Sequence, residues 1–113
     1  MLFIEFPAFT KAILKLPDDD YAAFQNQLAA DPEQGDLIRG AGGFRKTRTG
    51  FPSAGIGKSG GARVVYFYMS DIQTIVLVTL YAKAKKSDLS KAEENELRVI
   101  SAEIRRSLGS RKP

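Results

Sequence analysis

Two adjoining runs, Ala62–Met69 (ARVVYFYM) and Ile72–Ala82 (IQTIVLVTLYA), are almost unbroken stretches of β-branched and aromatic residues, with only Ser70 and Asp71 between them. Such side chains fit a pleated, packed surface and lose χ1 freedom in a helix, so both runs predict strands. The short polar break makes the pair an antiparallel hairpin, and the continuous apolarity of the second run predicts a buried central strand. Everything else in the chain has to be arranged around this hairpin.

Upstream, Leu2–Phe6 is a short strand candidate, because Pro7 leaves no room for a helix before it. From Ala8 the period changes: Phe9, Ile13 and Leu16 fall on one face of a helix that Pro17 should stop. Asp18, Asp19 and Asp20 offer an N-cap and first-turn negative charge for a second helix, striped by Tyr21, Phe24 and Leu28. Asp31–Gly35 is a loop by composition. Asp36–Arg39 and Phe44–Thr49 are short strand candidates separated by Gly40, Gly42 and Gly43. After the hairpin, Ser90-Lys91-Ala92-Glu93 fits a capping box, and Leu97, Ile100, Ile104 and Leu108 recur at helical spacing. The order β-α-α-β-β-β-β-α predicts an α+β fold, with two N-terminal helices and a C-terminal helix on a mostly antiparallel, twisted sheet. Residues 1–108 form the expected single domain, and 109–113 a basic, frayed tail.

At 113 residues the chain has room for one domain only. It contains no Cys and no His. Disulfides, thiolate zinc sites, cysteine nucleophiles and Ser-His-Asp chemistry are therefore excluded, and any acid or base must be a carboxylate, Lys, Arg or Tyr. Only carboxylates could bind a metal, and most of them sit at predicted helix starts or on outer helix faces. No metal and no cofactor is expected.

The formal net charge of +4 is unevenly spread. Residues 1–36 carry two bases and seven acids; residues 37–87 carry nine bases against Asp71 alone, a net of +8; residues 88–113 carry six bases and five acids. A segment this basic is either a solvated surface or the place where a polyanion binds and releases its counterions. The N-terminus lacks a basic n-region and a long apolar run, and Ile75–Ala82 is far shorter than the ~20 residues a membrane helix needs. A soluble, cytoplasmic protein is the expectation.

Nine of the ten glycines lie between Gly35 and Gly61. Gly55-Ile56-Gly57-Lys58-Ser59-Gly60 matches G-x-G-x-x-G on paper, but a dinucleotide site needs a helix leaving the glycines, and here a strand leaves them. Gly57-Lys58-Ser59 also imitates the end of a Walker A loop, whose first glycine would fall on Pro52. The stretch Thr49–Gly61 instead reads as a long loop, flanked by basic segments and bearing Lys58, of the kind that closes on ligands.

Three groups of residues stand out. Arg63 begins a strand that is otherwise apolar. Lys83, Lys85 and Lys86 follow directly on the central strand. Tyr66, Tyr68 and Tyr81 share the hairpin. The plain structural reading makes Tyr66 and Tyr68 partly core, Tyr81 a polar tip at the rim and the lysines a solvated turn.

Four blocks in order resemble the RelE/HigB group of bacterial toxin–antitoxin toxins, within the RelE/ParE superfamily. They are Gly35-Asp36-Leu37-Ile38; Gly42-Gly43-Phe44-Arg45-Lys46-Thr47-Arg48; Gly60-Gly61-Ala62-Arg63-Val64-Val65-Tyr66; and Leu80-Tyr81-Ala82-Lys83-Ala84-Lys85-Lys86-Ser87-Asp88-Leu89. The likeness spans residues 1–107. It implies a RelE-like fold and a ribosome-dependent messenger-RNA endonuclease cutting in the A site, with the RNA 2′-OH as nucleophile and no metal. Clustered cations lower a lysine's pKa, which makes a lysine base compatible with the absence of histidine. The implied catalytic residues are Arg63, Lys83 and Lys86. The implied RNA-binding residues are Arg45, Lys46, Arg48, Lys58, Lys85 and Tyr81. Imperfect alternation in Phe44–Thr49 leaves open which of Arg45, Lys46 and Arg48 faces the site. The implied partners are an antitoxin with a helix-turn-helix domain, the ribosome and mRNA, with no membrane. The alternative is a ParE-like, gyrase-inhibiting toxin without nuclease activity. Unlike some members, this chain has no tyrosine after Tyr81.

Overall fold

The structure, a computed structural model, describes residues 1–51, 61–82 and 88–109. The elements are β1 (Leu2–Glu5), α1 (Pro7–Ile13), α2 (Asp18–Ala30), β2 (Asp36–Leu37), β3 (Arg45–Thr49), β4 (Ala62–Met69), β5 (Thr74–Ala82) and α3 (Lys91–Ile104). The strands form one five-stranded sheet in the order β1-β5-β4-β3-β2. The β1–β5 pair is parallel and the other three pairs are antiparallel. Three helices on a mixed sheet make this an α+β fold with the expected order of elements.

Several boundaries differ from the sequence expectation. The three aspartates do not cap α2: Pro17 occupies the N-cap without a side-chain bond, and Asp18–Asp20 lie inside the first turn. There their charge meets the positive end of the helix dipole. Pro17 does not stop α1 either. That helix closes at Ile13, and the chain tightens through bonds from Lys15 N to Ala12 O and Leu16 N to Ile13 O. Leu16 still packs on the core. Ile72 belongs to a 3-10 turn over Ser70–Ile72, and Gln73 adopts a left-handed φ of 49° before β5 begins. The strand from Asp36 ends at Leu37, because the chain turns through the glycines after Ile38 bonds back to Phe44 O.

The capping box forms as expected. Ser90 Oγ accepts from Glu93 N at 3.1 Å, while Glu93 Oε1 accepts from Ser90 N at 2.8 Å. After Ile104 the helix widens into a π-helical turn over Arg105–Gly109. At the other end of the chain, Glu5 accepts hydroxyl bonds from Thr10 and Tyr21, both at 2.6 Å, and so ties β1 to α1 and α2.

Alternation along β4 sends Val64 and Tyr66 to the face covered by α1 and α2, and Val65, Phe67 and Met69 to the face covered by α3. Each face has its own core. Phe9, Phe24, Leu28, Phe51, Ile75 and Leu77 fill the first; Phe44, Val76, Val78, Leu97 and Ile104 help fill the second. Phe51, fully buried, comes from the glycine-rich stretch that composition alone marks as loop. On the α3 face, the Arg105 guanidinium lies 5.1 Å from the Phe67 ring centre and donates to Gly42 O at 3.1 Å.

The β4–β5 ladder contains one irregularity. Tyr66 pairs with Leu77 but Val65 pairs with Thr79, so β5 carries one extra residue, Val78. This bulge reverses the alternation of β5 beyond it. Among the described residues, no helix is long and apolar enough to cross a membrane.

Candidate nucleic-acid interface

Strand pairing determines which basic residues can act together. Residues directly opposite on neighbouring strands point to the same face, with Cβ atoms about 5 Å apart. Arg48 on β3 is opposite Arg63 on β4, and Arg63 is opposite Tyr81 on β5. The three form a row across the sheet on the α3 face. Lys46, paired with Val65, lies on that face one pleat further along β3.

Arg48 is exposed, whereas Arg63 is only 5% exposed. Burial of a guanidinium demands partners; among the described residues, Arg63 Nη1 has a 3.4 Å bond to its neighbour Ala62 O. Among the described residues, no carboxylate pairs with Arg48 or Arg63. Like charges directly opposite in a sheet are destabilising, so this pairing weakens the free protein and favours an anion placed over both groups. Tyr81 packs its ring on the α3-side core and buries its hydroxyl beside the row.

Lys46 is held differently. Its Nζ donates to Asp88 Oδ1 at 2.7 Å, and the same oxygen accepts from Leu89 N at 2.8 Å. The bond from Lys46 and then that from Leu89 hold the Asp88 carboxyl below its ordinary pKa. The pair fastens the chain entering α3 to β3.

Arg45 is opposite Tyr66 and therefore lies on the α1/α2 face. It donates to Gly35 O at 2.7 Å and Glu33 O at 3.2 Å, with the Glu33 carboxylate 3.7 Å away. Its fork holds the loop before β2. Tyr66 grips the same loop, accepting from Gly35 N at 2.9 Å and donating to Pro32 O at 2.7 Å. Burial raises the Tyr66 pKa, so the phenol stays neutral. The structure thus brings together Lys46, Arg48, Arg63 and Tyr81 and separates Arg45 from them. Lys58, Lys83, Lys85 and Lys86 lie outside the described residues, as do positions 110–113 of the tail.

Two features of the site left no mark in the sequence. Asp88 is 42 residues from Lys46, with no periodic signal joining them. The second is a solvent-open cleft of about 410 Å³ at the outer edge of β3, where Gln27, Asp31, Gln34 and Asp36 line the same opening as Lys46, Thr47 and Arg48. Those acids and amides read locally as loop and helix-end residues. Among the described residues, no three carboxylates converge to hold a metal ion.

No protein-family model matches the chain. Its fold is similar to that of an E. coli RelE toxin bearing two arginine-to-alanine substitutions, in the free state, with a TM-score of 0.56 and 14% identity. That likeness covers 88% of this chain and 94% of the other. It is also similar to the isolated E. coli RelE toxin, with a TM-score of 0.54 and 14% identity over 88% of this chain and 97% of that one. The fold is RelE-like.

Proposed function

We propose that this protein is the toxin of a toxin–antitoxin pair and cleaves messenger RNA on the ribosome. The observation that carries the reading is the row Arg48–Arg63–Tyr81 on a RelE-like sheet, its two guanidinium groups without carboxylate partners among the described residues. A structural role would supply an acid there; an anionic ligand makes the arrangement favourable.

In this reading the RNA 2′-OH attacks the adjacent phosphorus. A bond forms between O2′ and phosphorus, the bond to O5′ breaks, and the products are a 2′,3′-cyclic phosphate and a 5′-OH. The nucleophile belongs to the substrate, so the protein supplies charge and proton transfer. Arg63, fixed by burial, offers a planar fork to the phosphate oxygens as charge builds on the phosphorane. Arg48 adds a second cation and draws the strand in. Lys83 and Lys86, directly after β5 in sequence, are the candidates for proton transfer, with Lys85 and Lys58 as further backbone contacts. The partners are the ribosome and an antitoxin with a helix-turn-helix domain, acting in the cytoplasm.

Inducing the protein in a bacterium and mapping message ends tests this. Codon-phased cuts within translated regions are the expected result. Growth arrest with intact messages and damaged DNA would transfer the reading to gyrase inhibition, and no arrest would overturn both.

A further inference from the structure

We propose that Asp88 is an intramolecular stand-in for a phosphate: by holding the Lys46 ammonium, it lowers the affinity of this sheet face for RNA. The proposal rests on the RNA-directed reading of the neighbouring Arg48–Arg63 row and adds a brake to that site.

Three observations carry it. The first is placement. Lys46 stands opposite Val65 and so shares the α3 face with Arg48, two residues further along β3 and about 7 Å away between Cα atoms. Arg48 and Arg63 have no carboxylate partner among the described residues, whereas Lys46 Nζ donates to Asp88 Oδ1 at 2.7 Å. The run of uncommitted positive charge along β3 therefore stops at Arg48, one pleat short of Lys46.

The second is the charge around that lysine. Asp36 stands directly opposite Lys46 on β2, and residues opposite each other in a ladder share a face. Asp36 and Asp88 together outnumber the one ammonium, and carboxylates repel a phosphate backbone. The Asp88 side chain is 65% exposed and that of Lys46 27%, so a polyanion approaching from solvent meets the carboxylate first.

The third is preorganisation. Asp88 Oδ1 also accepts from Leu89 N at 2.8 Å, so the backbone entering α3 fixes the carboxylate just ahead of the Ser90 N-cap. The two bonds hold its carboxyl below the ordinary range, and it stays charged at neutral pH. An exposed pair of this kind is weak, so RNA can displace it. The exchange yields little, because the freed carboxylate takes up a cation as the phosphate releases one. Lys46 therefore adds little to RNA affinity while Asp88 is present.

The full chain is titrated by fluorescence anisotropy against labelled 2′-O-methyl hexauridylate, which lacks the 2′-OH needed for cutting, over a series of salt concentrations. Asp88→Asn should bind roughly fivefold tighter at about 100 mM salt, with the slope of log K on log salt steeper by about 0.7, the increment for one added phosphate contact on a single strand. In a Lys46→Met background the same substitution should change neither quantity. Glu96→Gln removes an exposed α3 acid that lines an opening with Phe6 and Pro7, and as a control for net charge it should leave the slope unchanged. An unchanged slope or weaker binding in Asp88→Asn, or the same gain in the Lys46→Met background, would overturn the proposal. Absence of binding by every variant would overturn the RNA-directed reading and the brake together. Codon-phased cuts in messages with no effect of Asp88→Asn would sink the brake alone, and the full effect in a protein that leaves messages intact would sink the nuclease reading alone.

Discussion

Arg63 on β4 stands directly opposite Tyr81 on β5, on the sheet face that α3 covers. Strict alternation from Leu77, which faces α1 and α2, would send Tyr81 to that same side. The extra residue Val78 reverses the phase, so Tyr81 joins Arg63 and Arg48 in one row. The candidate site therefore depends on a single bulge.

Arg63→Met keeps most of the buried volume and removes the charge. We expect message cutting to fall at least ~100-fold, as when a preorganised charge is taken from a transition state. The denaturation midpoint should not fall, because the like-charge opposition to Arg48 is relieved. Arg63→Lys should restore little, since an ammonium cannot present the planar fork. Cleavage assays on translating ribosomes and urea melts check both halves; retained activity would refute the role.

Tyr66→Phe removes a hydroxyl that accepts from Gly35 N and donates to Pro32 O. The buried Gly35 N–H is left without that partner, and we expect a loss of about 1–3 kcal/mol in unfolding free energy. The pH dependence has a definite sign. Burial raises the phenol's pKa above its ordinary 10.0 in the folded state. Its contribution is fully present below pH 10 and is lost as pH rises through the folded value. Unfolding curves of wild type and variant should therefore converge on the alkaline side.

Asp88→Asn breaks the ion pair with Lys46. The carboxyl's pKa lies below its ordinary 3.8 because Lys46, then Leu89 N, bond to the charged form. A depressed carboxylate adds stability above its unfolded pKa and loses it as pH falls through the folded value. The variant should show a shallower loss of stability below about pH 4. At pH 7 the change should stay under ~1 kcal/mol, because the pair is exposed and screened. Chemical denaturation from pH 2 to 7 measures this.

Gly42→Ala tests how the glycine loop meets α3. Gly42 has a φ of +72°, and an added Cβ would collide with the Ser101 side chain and lie 3.2 Å from Arg98 Cα. Left-handed strain and the clash together should cost about 2 kcal/mol or more. Thermal unfolding should drop accordingly, with amide exchange in α3 accelerated.

Local sequence patterns encode the elements and their order. β-branched runs, helical stripes and the Ser90 capping box act over a few residues, so the eight elements and the buried hairpin were legible. The sequence also determined the chemistry available, since a chain without His or Cys has only cations, carboxylates and hydroxyl groups to work with. Boundaries near Asp18 and Ile72 differ from the local pattern because a prolyl N-cap and a tight turn compete there with capping and strand propensity. Which bases act together is set by long-range strand pairing. Arg45, Lys46 and Arg48 look alike in sequence, yet strand register sends Arg45 to the loop at Gly35, Lys46 to Asp88 and Arg48 to Arg63. Register and the bulge at Val78 are set by packing between distant strands, and no local pattern encodes them.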